Sequence, residues 1–384
     1  MRLLIVGGGT GGHIYPALAV ARSLQARSDA PDLRWIGGHR GLEAAVIPAT
    51  GIPFGRLLVR SLRSVDFDLH AVLDPIRLSL SVPQAMVTLV RHRPAAIFTT
   101  GGYVALPVLL AAWALRIPVV MWDGNVVPGR SVRVTARLVG CLAVTFESTC
   151  RALGRPGRLC FVTGTPIRDP RRVSRADARK ALGIPTEDKL LLIFGGSQAV
   201  RRFNSAVAEA LPRLVERARV IHVTGEAGFD EAVAGRDDLP ENMRDRYRPE
   251  KFLDEDMIRA LAAADLVVGR AGSSTLAEVA AFGLPMVVVP YPHAAGHQRR
   301  NAEEMVRCGA ARLVEDEDFD AEALLAAAAI LDDRAEHAAM AAAARSLARP
   351  GGADAVAELV VAAAARRPFP DAAHLEAVSR GVAR

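Results

Sequence analysis

Short, mostly apolar runs recur along the chain, each closed by small or polar residues and followed by a stretch of helical periodicity. Residues 3–6, 33–36, 95–98, 117–121, 141–144 and 160–162 read as strands, with one helix after His13 and another from Gly41. A second series follows at 190–194, 219–223, 265–268 and 286–289. Continuous apolar strands alternating with helices predict mostly parallel sheets covered on both faces. The fold class is therefore α/β, with two doubly wound domains over 1–164 and 165–350, and the Pro- and Arg-rich stretch 165–172 between them as a candidate hinge. The Ala-rich, helical pattern beyond Ala321 breaks at Pro350-Gly351-Gly352-Ala353. Residues 351–384 are expected to form a last helix returning to the first domain, then a loose tail after Pro368.

The longest apolar run, 104–121, is interrupted by Pro107, Arg116 and Pro118 and falls short of the roughly 20 residues that span a bilayer. It reads as a helix followed by a buried strand. With 51% hydrophobic but only 5% aromatic residues the chain is an aliphatic globular protein, poor in the rings that stack on bases. A net charge of +6 suits phosphates or an anionic membrane surface and gives little reason to expect nucleic acid. Cys141, Cys150, Cys160 and Cys308 show no C-x-x-C spacing, so free thiols in a reducing compartment are expected, with no disulfide. The start on a strand after Met1-Arg2 leaves no room for a leader, and a cytoplasmic location is expected.

Two glycine-rich turns follow apolar strands: Gly7-Gly8-Gly9-Thr10-Gly11-Gly12-His13, and Gly195-Gly196-Ser197-Gln198. Glycines admit close approach of backbone N–H groups, and the following helix N-terminus favours negative charge, so a phosphorylated ligand is expected. Gly7, Gly9 and Gly12 formally match a dinucleotide fingerprint, but no acid follows the second strand, where Gly37-Gly38-His39-Arg40 stands. His13, at the start of a helix, is a candidate general base or a capping histidine. Ser197 and Gln198 could contact a diphosphate, or cap a helix. In Arg270-Ala271-Gly272-Ser273-Ser274-Thr275-Leu276-Ala277-Glu278 the design repeats, with Glu278 able to accept both hydroxyls of a ribose or simply to complement the helix N-terminus. Gln298 and Asn301 share one helix face and could read sugar hydroxyls. Arg168 could reach a phosphate or uracil, or lie on the surface.

Taken in order and spacing, 8–13, Gly101-Gly102-Tyr103, 195–198, 270–278 and 290–301 resemble the MurG family of glycosyltransferases over nearly the whole chain. The resemblance implies a GT-B type fold, two doubly wound Rossmann-like domains facing a cleft. It also implies an inverting hexosyltransferase that moves N-acetylglucosamine from UDP-N-acetylglucosamine to the 4-hydroxyl of the muramyl sugar of undecaprenyl-linked lipid I, giving lipid II for peptidoglycan. No metal or cofactor is implied. By the same resemblance Thr10, Gly11, Gly12 and Asn125 surround the sugar and acceptor, and Tyr103, in a matching segment, is taken as substrate-binding. Arg168, Ser197, Ser273, Ser274, Thr275, Leu276, Ala277, Glu278 and Gln298 surround the nucleotide sugar, and Gln198 and Asn301 are taken as substrate-binding from their own positions. Leu253 meets the uracil through its backbone, and His13 or Asp123 is the base. The chain departs from the family in carrying Trp122-Asp123-Gly124-Asn125 where His-Glu-Gln-Asn is usual, and Ala199-Val200 after Gln198.

A lipid-linked acceptor implies peripheral attachment to the cytoplasmic face of an anionic inner membrane, and partners among cell-wall synthesis proteins. The segment 54–93, with Leu57, Leu62, Phe67 and Leu73 among Arg56, Arg60, Arg63 and Arg77, has interfacial character, although core packing accounts for its leucines equally well. A related UDP-sugar transferase acting on another lipid or aglycone, a UDP-sugar epimerase, and a non-catalytic partner protein are the alternatives.

Overall fold

The computed structural model describes residues 1–39, 41–59, 69–153, 159–195, 201–253, 256–292 and 296–382, with 69–79 described by their backbone. The chain divides into two compact units, Met1–Ile167 with Arg349–Arg384, and Arg168–Ala348.

The first unit is built on seven parallel strands: β1 (Arg2–Val6), β2 (Asp32–Gly38), β3 (Phe54–Leu57), β4 (Ala96–Thr99), β5 (Val119–Asp123), β6 (Cys141–Val144) and β7 (Leu159–Val162). Their order is β3-β2-β1-β4-β5-β6-β7. β1 is an interior strand, with Leu3 beside both Leu33 and Ala96, and Val6 beside both Ile36 and Thr99. Alternate side chains feed two cores. Leu3, Ile5, Trp35, Phe98 and Trp122 pack with the helices Gly11–Gln25 and Gly352–Ala364, while Leu4, Val6, Ile36, Ile97 and Met121 pack on the other face with the helix Ala105–Ala114. Burial on both faces is why these strands read as unbroken apolar runs.

Two expectations need correction here. The residues after Pro368 are not a loose tail: Ala372–Arg380 is a helix, capped by Asp371 accepting from the His374 N–H, with Leu375 and Val378 buried. Two apolar residues three apart suffice to seat this helix on one face. Nor are all four cysteines free. Cys150, in the helix Glu147–Leu153, and Cys160, in β7, form a disulfide, because the chain doubles back and brings two positions ten residues apart together. Cys141 and Cys308 are free, and burial pushes the Cys141 thiol up to about 12.

The second unit carries six parallel strands: β8 (Leu190–Phe194), β9 (Arg219–Val223), β10 (Tyr247–Glu250), β11 (Leu266–Gly269), β12 (Met286–Val288) and β13 (Ala311–Leu313), ordered β10-β9-β8-β11-β12-β13. β8 and β11 are neighbours, Leu191 beside Leu266 and Phe194 beside Gly269. In each unit strand order reverses direction beside the first strand, between β1 and β4 and between β8 and β11. The ends of those strands are where open parallel sheets bind ligands.

Candidate active site

In the first unit the turns after β1 and β4 lie against each other. Gly9, Gly101 and Gly102 have φ of 99°, 84° and 82°, a region open to glycine. A Cβ on Gly102 would stand 3.1 Å from the Gly8 carbonyl oxygen, so the turns can approach only as glycines. Thr10 is the N-cap of the helix that Gly11 and Gly12 open; its carbonyl accepts from the His13 and Ile14 N–H groups, and the Gly11 and Gly12 amides have no intrahelical acceptor. His13 is fixed by a reciprocal pair: its Nδ1–H donates to the Thr100 carbonyl at 2.8 Å, and Thr100 Oγ1 donates to the His13 carbonyl at 2.9 Å. A carbonyl can only accept, so Nδ1 carries the proton in the neutral ring and Nε2 is the basic nitrogen.

Tyr103 donates its hydroxyl to Glu43 at 3.4 Å, and burial together with that carboxyl pushes its own pKa up to about 12. Asp123 ends β5 and is 5% exposed. Its Oδ1 accepts from the Asn125 backbone N–H at 3.4 Å and side-chain amide at 3.2 Å, and the Asn125 carbonyl accepts from Thr149 Oγ1 at 2.7 Å. Asp123 thus holds the loop that presents Asn125. Trp122 faces the core and donates from its indole nitrogen to the Gly164 carbonyl at 3.0 Å. A large ring with one satisfied donor explains how tryptophan stands where the family resemblance leads one to expect histidine.

In the second unit the loops after β11 and β12 are stapled together. Gln298 Oε1 accepts from the Ala271 N–H at 3.2 Å and the Tyr291 N–H at 2.9 Å, and the Asn301 amide donates to the Ala271 carbonyl at 3.4 Å. Asn301 is buried, so it shapes the loop and presents little surface to a ligand. Arg270 donates to the carbonyls of Val289 and Pro290, pairs with Asp316, and lies between the rings of Phe203 and Tyr291. The helix Ser273–Ala281 starts from this braced loop with Gly272 as N-cap. Ser274 Oγ is buried without a hydrogen-bond partner among the described residues, an unusual state for a hydroxyl at a helix start. Thr275 and Ala277 are partly exposed, and Leu276 anchors the helix in the core.

Glu278, one turn further, keeps part of its surface open yet is heavily surrounded by protein; desolvation pushes its carboxyl up to about 7, and the Arg168 guanidinium opposes that rise. The structure therefore brings Arg168 and Glu278 within electrostatic reach of each other. Leu253 is buried, and its carbonyl accepts from the N–H groups of Asp256 and Met257. Ser197 and Gln198 lie outside the described residues.

Sequence reasoning missed two residues. Thr100 orients His13 through its carbonyl, which no motif announces. Glu43 is fully buried beneath the first glycine turn, accepting from Gly9 N–H at 3.0 Å and Gly38 N–H at 3.1 Å. Its signal was the glutamate directly after Gly41-Leu42 at the end of the second strand, displaced by a few residues from where a ribose-binding acid is sought.

Two doubly wound units, with glycine turns at the switch point of the first and the braced Gly272 loop at that of the second, have the architecture of a nucleotide-sugar glycosyltransferase. The family description "Glycosyltransferase family 28 N-terminal domain" matches residues 3–144, and "Glycosyltransferase family 28 C-terminal domain" matches 190–361. A protein of Desulforudis audaxviator is 37% identical over 94% of this chain and 98% of its own, and one of Moorella thermoacetica is 38% identical over the same shares. Each is named UDP-N-acetylglucosamine–N-acetylmuramyl-(pentapeptide) pyrophosphoryl-undecaprenol N-acetylglucosamine transferase. The crystal structure of Acinetobacter baumannii MurG, 28% identical, superposes with a TM-score of 0.73 over 94% of this chain and 99% of that one. A UDP-glucose:anthocyanidin 3-O-glucosyltransferase bound to UDP, 14% identical with a TM-score of 0.67 over 95% and 99%, shares the GT-B fold. The chain belongs to the MurG family.

Proposed function

We propose that this protein transfers N-acetylglucosamine from UDP-N-acetylglucosamine to the 4-hydroxyl of the muramyl sugar of lipid I, making lipid II. The substrates are those in the names of relatives that match nearly end to end. The observation that carries the chemistry is the bond from His13 Nδ1–H to the Thr100 carbonyl, which makes Nε2 the basic nitrogen of the ring. The acceptor oxygen attacks the anomeric carbon from the face opposite UDP, its proton passes to His13 Nε2, and the bond from that carbon to the diphosphate oxygen breaks. Inversion turns an α-linked donor into a β-linked product.

In this reading the Met1–Ile167 unit binds the acceptor through Thr10, Gly11, Gly12, Tyr103 and Asn125, and Asp123 holds the Asn125 loop instead of taking the proton. The Arg168–Ala348 unit binds the donor. Glu278 accepts the ribose hydroxyls, Ser274 gives its unused hydroxyl, the amide of Gln298 donates to the sugar, and Arg168 offsets charge on the departing diphosphate. Ser197, Gln198, Ser273, Thr275 and the Leu253 backbone complete the set.

No helix among the described residues is long and apolar enough to cross a membrane. A peripheral contact with an anionic bilayer is supported by Leu80, Val87 and Val90 on the helix Leu69–His92 and by Trp113, which is 67% exposed next to Arg116. Arg60 and Arg63, expected to join that contact, lie outside the described residues. Incubation with labelled UDP-N-acetylglucosamine and a short-chain lipid I analogue tests the reading. A disaccharide-bearing lipid is expected; label released only to water, epimerised donor, or transfer only to diacylglycerol overturns it.

A further inference from the structure

Glu43 is a fully buried carboxylate that the chemistry above does not use. It sits in the first turn of the short helix Leu42–Val46, and its two oxygens divide their work. Oε2 accepts from Gly9 N–H at 3.0 Å, in the turn after β1. Oε1 accepts from Gly38 N–H at 3.1 Å, at the end of β2, and from the Tyr103 hydroxyl at 3.4 Å, in the turn after β4. Three strand ends thus meet on one side chain. The surrounding glycines fit that side chain: a Cβ would stand 2.5 Å from it at Gly8, 2.8 Å at Gly37 and 2.5 Å at Gly41. The glycine richness of this turn therefore has a second cause besides a ligand, namely room for an internal carboxylate.

The two turns it ties are those that grip His13. Gly9 lies four residues before His13. Gly102, next to Tyr103, would put a Cβ 3.8 Å from His13 Cδ2, and Thr100, three residues before Tyr103, accepts the His13 Nδ1–H. We propose that Glu43 is a positioning residue for sugar transfer, holding the turns after β1 and β4 in the register that aims His13 Nε2 at the acceptor hydroxyl. This role rests on the reading of His13 as the base. Glutamine cannot replace it, because an amide has one acceptor oxygen and its NH2 would face a backbone N–H. A buried donor left unsatisfied disfavours the native turn, and a shift of about 1 Å at a base costs up to roughly 100-fold in rate.

The test compares the full-length parent with Glu43→Gln and Gly8→Ala, the second keeping the carboxylate but driving a methyl into it. In both, kcat for transfer to a lipid I analogue should fall about 10- to 100-fold, while KM and calorimetric Kd for UDP-N-acetylglucosamine stay within about twofold, because the donor residues belong to the other unit. The acid limb of the kcat–pH profile should move, as the bond from His13 to Thr100 loosens. Hydrogen exchange of the peptide covering 7–13 should quicken in Glu43→Gln whatever the activity. A kcat within about threefold of the parent, an unmoved pH profile, or donor affinity lost in parallel with kcat would each overturn the assignment. A parent that transfers no sugar refutes the proposed function instead, and unchanged exchange over 7–13 still refutes the anchoring by Glu43.

Discussion

Donor binding should titrate with Glu278. Its carboxyl lies near 7 in the unliganded protein because burial raises it further than Arg168 lowers it. Only the carboxylate accepts from two ribose hydroxyls at once, so binding draws on the ionised fraction. A group with a pKa of about 7 is roughly one-tenth ionised at pH 6 and nine-tenths at pH 8, and the dissociation constant should therefore rise about tenfold as pH falls across that interval. The assay is calorimetry with UDP-N-acetylglucosamine, whose diphosphate is esterified at both ends and keeps a constant charge over the range. Glu278→Gln should bind weakly and almost independently of pH, and Arg168→Ala should move the midpoint to higher pH by removing the opposing charge. Stability supplies a sign check. A carboxyl raised above its ordinary 4.5 stabilises the folded state most fully below that value and loses the contribution as pH rises through about 7. Glu278→Gln should accordingly melt higher than the parent at pH 8 without donor, and equally at pH 4.5. A parent affinity flat between pH 6 and 8, or a slope that survives in Glu278→Gln, refutes the ribose role.

Other outcomes follow from the same geometry. His13→Ala should lower turnover roughly 100-fold with UDP-N-acetylglucosamine affinity unchanged, as for loss of a general base, and near-normal turnover would remove it from that role. Ser274→Ala removes a buried hydroxyl without a partner, so the unliganded protein should gain about 1 kcal/mol in denaturant unfolding while donor affinity falls about fivefold; a loss of stability would count against an unused hydroxyl. Trp113→Ala with Arg116→Asn, the asparagine chosen because Arg116 has φ of 53°, should weaken co-sedimentation with anionic vesicles at low salt, and equal sedimentation would reject that surface.

The central strands were legible because burial on both faces leaves an uninterrupted apolar run, as in Leu190–Phe194. β3, β10 and β13 escaped notice for the complementary reason. β3 is an edge strand with an exposed Arg56, β10 alternates buried and exposed residues around Pro249, and β13 is three residues long with Arg312 in its middle. Edge strands need less apolar surface, so their signal is faint. The Cys150–Cys160 bridge was illegible from spacing, since it depends on how the helix Glu147–Leu153 returns beside β7.

At the site, motifs located the turns but not the partners of the groups in them. Gln298 and Asn301 share a helix face as their spacing implies, yet both reach the Ala271 backbone, and a sequence cannot state which of an amide's contacts is internal. The first glycine turn carries the same lesson further. Its Gly9 amide, of the kind expected to meet a phosphate, points at Glu43, while the amides that open the helix at Gly11 and Gly12 have no intrahelical acceptor. A single stretch of glycines thus serves two masters: Gly8 leaves room for a buried carboxylate, and Gly11 and Gly12 open a helix beside His13 with amides that lack an intrahelical acceptor. The Glu43 carboxylate, held by the Gly9 and Gly38 amides, stands close to where a dinucleotide fingerprint leads one to seek a ribose-binding acid, and its acceptors here are turned to the chain's own backbone.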